Sequence, residues 1–223
     1  MSNVIHASQL TLSYGSNEDI IRDANFSIKK GEFVFITGPS GSGKSTLLKA
    51  LYGQLRPKEG SLVVGGLDLA DISPKKLQEL RTHLGIIFQD YKLINEWTVA
   101  KNVILPLMIA GYDSNIQEAQ AQKLLHHVKL SDSLEKYPLE LSGGEQQRVG
   151  VARALAKNPV VILADEPTGN LDEYSSNVIW ELMQNACTQL ETTVLVVTHK
   201  IPTSFTLPYR HFIIESKGVY AVN

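Results

Sequence analysis

The stretch Gly38-Pro39-Ser40-Gly41-Ser42-Gly43-Lys44-Ser45 decides the fold. It fits the pattern Gly, any four residues, Gly-Lys-Ser/Thr, in which glycines turn backbone N–H groups toward phosphates, the lysine reaches the β- and γ-phosphate oxygens, and the hydroxyl can bind Mg²⁺. The apolar run Phe33–Thr37 before it predicts a strand, and Ser45–Leu55 after it predicts a helix whose positive end favours phosphate. We therefore predict a phosphate-binding loop; a Gly/Ser-rich turn that merely contains a lysine is the alternative.

A second block places two acids after an apolar run. Val160–Ala164 is followed directly by Asp165 and Glu166. Since a Mg²⁺-linked carboxylate belongs at a strand end beside such a loop, we assign Asp165 to the metal, through water. Glu166 would then polarise an attacking water as general base. The alternative is a strand followed by an ordinary acidic turn.

Two further polar residues follow apolar runs in the same way. His199 comes after Val194–Thr198, and Gln89 comes after Leu84–Phe88. His199 could donate to the γ-phosphate and orient the water, and Gln89 offers an amide oxygen to Mg²⁺ or to that water. Spacing alone selects neither residue, and a lone histidine at a strand end is more often structural.

The order of patterns predicts an α/β protein with a helical insertion. Strand-like runs open the chain, helical spacing takes over between residues about 90 and 158, and strand-like runs then return. Buried strands of a parallel sheet are continuous apolar runs, as 160–164 and 194–198 are. The remaining strand predictions are Val4–Leu12, Ala24–Ile28, Ser61–Val64 and Phe212–Ile214, and the predicted apolar helix face is Ala121, Leu124, Leu125 and Val128.

Composition narrows the class of protein. The 223 residues are 43% hydrophobic and 20% charged, which suits a globular domain with a real core. The net charge of −2 gives no electrostatic argument for nucleic acid, although it is compatible with a local basic patch. One cysteine, Cys187, excludes an intramolecular disulfide and a cysteine-built zinc site, and it fits a reducing cytoplasm. No apolar stretch approaches the roughly 18–20 residues that span a bilayer, so we expect any membrane role to come through a partner.

The run Leu141-Ser142-Gly143-Gly144-Glu145-Gln146-Gln147-Arg148 is the most specific in the chain. Physically it predicts a Ser-Gly-Gly turn that opens a helix through about Ala156 and presents N–H groups and a hydroxyl to an anion. The run resembles the signature of ATP-binding cassette (ABC) ATPases. The order of all the motifs is similar to that family along essentially the whole chain.

The resemblance implies a fold, an activity and roles for single residues. The fold is a P-loop NTPase (RecA-like) α/β core, about 1–89 and 159–223, with an N-terminal antiparallel β subdomain and an inserted α-helical subdomain at about 90–158, in one domain over 1–223. The activity is hydrolysis of ATP with Mg²⁺. Tyr14 resembles the aromatic residue that stacks on adenine, and Thr46 joins the nucleotide-binding residues 38–45. Glu166, His199 and Gln89 take the catalytic roles, and Ser45, Gln89 and Asp165 are the metal ligands.

The same resemblance implies a second copy of the chain as partner. In this family two cassettes close head to tail, with each ATP between one subunit's phosphate loop and the other's signature. Ser142, Gly143, Gly144 and Glu145 would therefore act in trans. The loop Asn170-Leu171-Asp172 would cross to the other subunit.

Weaker features imply a membrane partner. Phe88-Gln89-Asp90, Leu105-Pro106-Leu107 and Arg148-Val149-Gly150 resemble the cell-division branch of the family, although the lipoprotein-release and efflux branches share most of them. The resemblance places the chain in the cytoplasm, peripheral on the inner face of the bacterial plasma membrane and bound to an integral membrane subunit. It puts the docking groove in Tyr91–Tyr112, where we expect Trp97 to be an exposed anchor. A scaffold that binds nucleotide without turning it over is the alternative, against which Glu166 and His199 argue.

Overall fold

The computed structural model describes residues 2–15 and 18–222. Residues 1, 16, 17 and 223, which the predicted domain includes, lie outside this part. The described chain forms ten strands: β1 Asn3–Ser13, β2 Asp19–Lys29, β3 Phe33–Thr37, β4 Glu59–Val64, β5 Leu67–Asp68, β6 Leu84–Ile87, β7 Val161–Asp165, β8 Thr193–Val197, β9 Arg210–Glu215 and β10 Gly218–Ala221. Its six α-helices are α1 Lys44–Leu51, α2 Pro74–Arg81, α3 Val99–Ile109, α4 Ser114–His127, α5 Gly143–Leu155 and α6 Glu173–Gln189.

A four-stranded antiparallel sheet contains most of the N-terminal strands. Its order is β2-β1-β4-β5, and β1 pairs with both β2 and β4. One face is apolar: Ile5, Ala7 and Leu12 of β1 and Leu62 of β4 are buried in the largest core cluster. The expected N-terminal antiparallel β subdomain is thus confirmed.

The larger sheet positions the chemistry. Its order is β10-β9-β3-β8-β7-β6, in which the pairs from β9 through β6 are parallel and β10 closes an antiparallel hairpin on β9. All five residues of β3 and of β8 are buried, as expected for strands covered on both faces. Because β3, β6, β7 and β8 run in one direction, the residues that follow them meet at one edge of the sheet.

Helices α3, α4 and α5 form the predicted helical region around their own core cluster. Ala121, Leu124, Leu125 and Val128 are buried, so the helical spacing in this segment is confirmed. Helix α5 ends at Leu155 with Ala156 as its C-cap, as the signature run predicts. The limits proposed for the subdomain, about 90–158, stay a prediction.

Helix α1 is shorter than predicted. It ends at Leu51 instead of Leu55, because Gly53 adopts φ +69° and its N–H donates to the Ala50 carbonyl, which turns the chain out of the helix. Helices α2 and α6 and strands β5 and β10 were also not predicted from the sequence. The start of α2 carries a readable signal, since Ser73 caps it by accepting from the Lys76 N–H and Pro74 occupies the first turn.

Within residues 2–15 and 18–222, none of the helices combines the length and the apolar character needed to span a bilayer.

Candidate active site

A cavity of about 280 Å³ lies where β3, β6, β7 and β8 end. The phosphate loop and the start of α1 form one wall, Gln89 follows β6, Glu166 follows β7, and His199 follows β8. Four segments that are far apart in sequence therefore meet in one polar cavity. The residues that line it are Ile20, Ser40, Gly41, Gly43, Lys44, Ser45, Thr46, Gln89, Glu166 and His199.

The loop between β3 and α1 needs its glycines. Gly43 has φ +108°, and a Cβ there would lie 2.8 Å from Ile20 Cγ2. Buried Lys44 directs its Nζ back over the loop, where it donates to the carbonyls of Gly38 at 2.8 Å and Pro39 at 3.0 Å. This geometry puts one ammonium group and the first N–H groups of a helix at the cavity wall, which suits a chain of phosphates.

Asp165 and Ser45 face each other across the edge of the sheet. The Ser45 hydroxyl donates to Asp165 Oδ1 at 3.3 Å. Burial raises the pKa of Asp165, while the hydrogen bond from Ser45 and the nearby Lys49 and Lys44 act in the opposite direction. A hydroxyl and a carboxylate are hard oxygen ligands of the kind Mg²⁺ prefers, and a cation would offset the cost of burying this carboxylate. Among the described residues no three His, Cys, Asp or Glu side chains cluster as metal ligands, so such a cation would complete its shell with phosphate and water.

Glu166 and His199 approach each other in the cavity. Glu166 Oε1 lies 3.2 Å from His199 Nε2, with the glutamate side chain 12% exposed and the imidazole 58% exposed. The contact has ion-pair distance but not hydrogen-bond alignment, and within the described chain Oε1 has no other partner. Glu166 adopts φ +43°, and its N–H donates to the Val197 carbonyl at 2.9 Å, which fixes the backbone from which the carboxylate projects.

Tyr14 lies beside the cavity and does not line it. Its ring is 61% exposed, its hydroxyl oxygen is 3.5 Å from Thr46 Oγ1, and Lys49 Nζ is 5.6 Å from the ring centroid. An exposed aromatic face next to the phosphate loop is a suitable platform for a base. The adenine role stays a prediction.

The signature turn is a separate feature of the chain. Within the described chain, residues 142–145 contribute nothing to the lining of the cavity. Ser142 caps α5: its Oγ accepts from the Glu145 N–H, while its own N–H and hydroxyl donate to Glu145 Oε2 at 2.8 and 2.7 Å. These hydrogen bonds lower the pKa of Glu145. The turn is therefore preformed by hydrogen bonds within its own helix start.

The predicted dimer loop follows Glu166. Asn170 Nδ2 donates to the Gln89 carbonyl at 3.4 Å, Leu171 packs on the core, and Asp172 caps α6 by accepting from the N–H and hydroxyl of Ser175. The loop is thus anchored at both ends. Its predicted crossing to a second subunit is untested by one chain.

Two buried polar residues of α5 escaped the sequence analysis. Gln147 Nε2 donates to the Pro167 carbonyl at 2.6 Å, and the Arg153 guanidinium donates to the carbonyls of Tyr91 and Lys92, both at 2.7 Å. The available signal was helical spacing, since Gln147 falls on the same face as buried Gly150 and Val151. A long polar side chain on such a face needs a partner in the interior.

The prediction for Trp97 is wrong. The indole is half-buried, and Lys101 Nζ lies 4.3 Å from its ring centroid. Among the described residues of this segment, Ile109 is the most exposed large apolar side chain, at 76%.

Residues 21–169 match the ABC transporter family. The chain belongs to the ABC transporter family. It is 38% identical over 217 residues to the cell division ATP-binding protein FtsE of Streptococcus pneumoniae serotype 2, which covers 97% of this chain and 94% of that protein. It is 41% identical over 203 residues to the lipoprotein-releasing system ATP-binding protein LolD of Geobacter metallireducens, with 89% and 90% covered.

A solved structure is similar over the whole fold. The ATP-binding cassette MJ0796, in a dimeric post-hydrolysis state bound to ADP and Pi, superposes with a TM-score of 0.86 at 32% identity, covering 98% of this chain and 99% of that one. The predicted ABC cassette fold is confirmed. The chain is a nucleotide-binding ATPase of this family.

Proposed function

We propose that the chain is the ATPase subunit of an FtsE-like membrane complex in bacterial cell division. It would couple ATP turnover, through an FtsX-like integral membrane subunit, to control of cell-wall hydrolases. The observation that supports ATP turnover is the single cavity that Lys44, Glu166 and His199 line together. A LolD-like or MacB-like transporter subunit is the second candidate, because LolD is about as similar as FtsE.

The cavity supports a division of labour for hydrolysis. Lys44 and the loop N–H groups bind the β- and γ-phosphates, and Tyr14 stacks on the base. Glu166 accepts a proton from the attacking water, which then bonds to the γ-phosphorus while the bond to the β-phosphate oxygen breaks. His199, 3.2 Å from Glu166 Oε1, orients the water and donates to the γ-phosphate. Gln89 senses that phosphate from the exit of β6.

Ser45, Asp165 and Gln89 are the residues that would hold Mg²⁺. When bound, Mg²⁺ neutralises charge on the phosphate oxygens. Burial raises the pKa of Asp165, so a cation bound nearby would stabilise its ionised carboxylate.

The exposed signature supports hydrolysis in a dimer. Ser142 and the first N–H groups of α5 form an anion-binding turn that does not reach its own chain's cavity. In a head-to-tail pair, Ser142–Glu145 would complete the partner's site, and the loop 170–172 would lie at the interface. The dimeric structure of MJ0796 bound to ADP and Pi supports pairing of two chains.

A groove beside α3 supports docking of the membrane subunit. It has a volume of about 430 Å³ and is lined by apolar side chains that include Phe88, Leu105 and Ile109, with Lys157 adding positive charge. Arg153 anchors the chain next to it at Tyr91 and Lys92, just after Gln89. Contact with the γ-phosphate at Gln89 is therefore linked to this groove by a short covalent path. The chain would lie peripherally on the inner face of the plasma membrane.

Glu166→Gln tests the enzymatic part. The amide keeps the shape but cannot accept the proton, so we expect ATP hydrolysis to fall by about 10²–10⁴ while ATP binding is kept. A closed dimer with uncleaved ATP should accumulate in light scattering with Mg-ATP. Glu118→Gln, an exposed change on α4, is the control and should behave as the unmodified chain. Normal hydrolysis by Glu166→Gln would remove that residue from the general-base role, and a chain saturated with ATP that stays monomeric would contradict the dimer.

Complementation separates the two candidate functions. The chain, co-expressed with the membrane protein that co-purifies with it, should restore division to cells depleted of FtsE and not lipoprotein release to cells depleted of LolD. The opposite result would assign it to the transporter class. The Glu166→Gln variant should restore neither.

A further inference from the structure

Gln147 connects the signature helix to the residue that follows the general base. The side chain is fully buried, and its Nε2 donates to the Pro167 carbonyl at 2.6 Å. Pro167 follows Glu166 directly in the chain. A hydrogen bond from the helix whose first turn is the signature therefore holds the carbonyl of the residue that follows Glu166.

Stability alone does not explain a glutamine at this position. Within the described chain the Gln147 Oε1 atom is buried and has no hydrogen-bond partner. A buried acceptor without a partner destabilises a fold, and an apolar side chain of similar size would avoid that cost. The directional bond to Pro167 is what an apolar residue could not supply.

The first turn of α5 also lies close to the chain that follows Pro167. Gly144 packs so closely on α6 that an added Cβ would lie 2.5 Å from Ser175 Oγ, and a Cβ on Gly143 would lie 3.8 Å from Leu171. The signature helix is therefore near the loop after Glu166 at Leu171 and near α6 at Ser175. Of these contacts, the hydrogen bond from Gln147 is the one nearest Glu166 in sequence.

We propose that Gln147 is a positioning residue for hydrolysis, which sets the place of Glu166 through Pro167. Because α5 begins with the turn that would bind the partner chain's ATP, Gln147 would also connect occupancy of that site to the general base of its own chain. The inference rests on the proposed general-base role of Glu166 and on the proposed dimer.

Gln147→Leu and Gln147→Glu test the proposal. Leucine removes the donor, and glutamate places an acceptor against the Pro167 carbonyl. We expect kcat to fall by about tenfold or more, since small misplacements of a catalytic group are costly, with larger loss for glutamate. KM and the affinity for a fluorescent ATP analogue should stay within about twofold. The control is Gln120→Leu, because Gln120 Nε2 likewise donates to a backbone carbonyl at 3.2 Å, that of Ala156 at the C-cap of α5, the end of the helix opposite the signature turn.

Combining variants distinguishes this inference from the proposed function. The Glu166→Gln variant and the Gln147→Leu/Glu166→Gln double variant should both form the ATP-trapped dimer. If Gln147→Leu keeps a normal kcat while Glu166→Gln still forms the trapped dimer, the positioning role of Gln147 is overturned and the proposed function is not. A lowered melting temperature with unchanged kcat would assign Gln147 a structural role and also overturn it. Failure of Glu166→Gln itself to retain ATP or to pair would instead count against the proposed function.

Discussion

At the residue scale, Asp165 is a residue of the candidate site whose buried carboxylate lowers the stability of the fold. Its carboxylate sits at the end of a strand that is buried along the rest of its length, and burial raises its pKa above the ordinary value of 3.8. The native chain therefore holds on to a proton more tightly than the unfolded chain. As pH rises above about 3.8, native stability falls, and at neutral pH the ionised carboxylate is a net cost to the fold without a cation.

We expect Asp165→Asn to raise the melting temperature of the nucleotide-free chain at pH 7. Asparagine keeps an oxygen for the Ser45 hydroxyl and removes the buried charge. For a chain of this size about 1 kcal/mol corresponds to roughly 2–4 °C. The gain should shrink as the pH falls and disappear below about 3.8, where the wild-type carboxyl is protonated in both the native and the unfolded chain. Thermal scans from acidic to neutral pH measure it, and a gain that did not depend on pH would contradict the electrostatic origin.

At the element scale, the contact between α5 and α6 requires Gly144. A Cβ there would meet Ser175 Oγ at 2.5 Å and Ser175 Cβ at 2.8 Å. Gly150, two turns further along α5, is also buried but has no heavy atom within 3.4 Å of an added Cβ, the nearest being Gln147 Oε1 at 3.5 Å. Two glycines in one helix therefore have different reasons to be there.

We expect Gly144→Ala to destabilise the chain by about 1–3 kcal/mol, because the added methyl group overpacks the helix contact. Gly150→Ala should instead stabilise it by up to about 1 kcal/mol, since alanine favours the helix and has room. Urea titrations of the two variants give the comparison. In a chain that also carries Ser175→Gly, the penalty of Gly144→Ala should shrink; an unchanged penalty would place its cause elsewhere.

At the scale of the whole molecule, the nucleotide cavity and the groove lie on opposite sides of one connected segment. Gln89 lines the cavity and Phe88 lines the groove, so neighbouring residues of one backbone point to the two places. Asn170 and Arg153 hold this segment through the carbonyls of Gln89, Tyr91 and Lys92. In the proposed coupling, a change at the γ-phosphate would reach the membrane partner along this segment.

Ile109→Asp tests the groove. Because Ile109 is 76% exposed, the substitution should leave the melting temperature and the ATP affinity near those of the unmodified chain. We expect it to abolish co-purification with the membrane subunit, since apolar contact area at the groove is lost. Ile116→Asp is the matched control, as Ile116 is 49% exposed on α4 and is not part of the groove lining. Retained co-purification with Ile109→Asp would move the interface to another surface.

The sequence by itself determined the local units. Glycines and lysine at fixed spacing specify the phosphate loop because its backbone conformation and charge are properties of a few consecutive residues. Continuous apolar runs specified the buried strands of the parallel sheet, and the Ser-Gly-Gly turn specified the start of α5. Each of these features also depends on a few consecutive residues. The helical face of α4 was equally readable, since Ala121, Leu124, Leu125 and Val128 recur at the helical period.

Only the tertiary structure decided which of these units meet. The 3.2 Å approach of Glu166 to His199 and the bond from Gln147 to Pro167 depend on strand order and helix packing, which join residues distant in sequence. Trp97 was wrongly predicted to be exposed, because the sequence does not show how much of an aromatic side chain the fold buries. Packing also decided that Ser142 is not among the described residues lining the cavity of Lys44, which the positions of these residues in the sequence do not show.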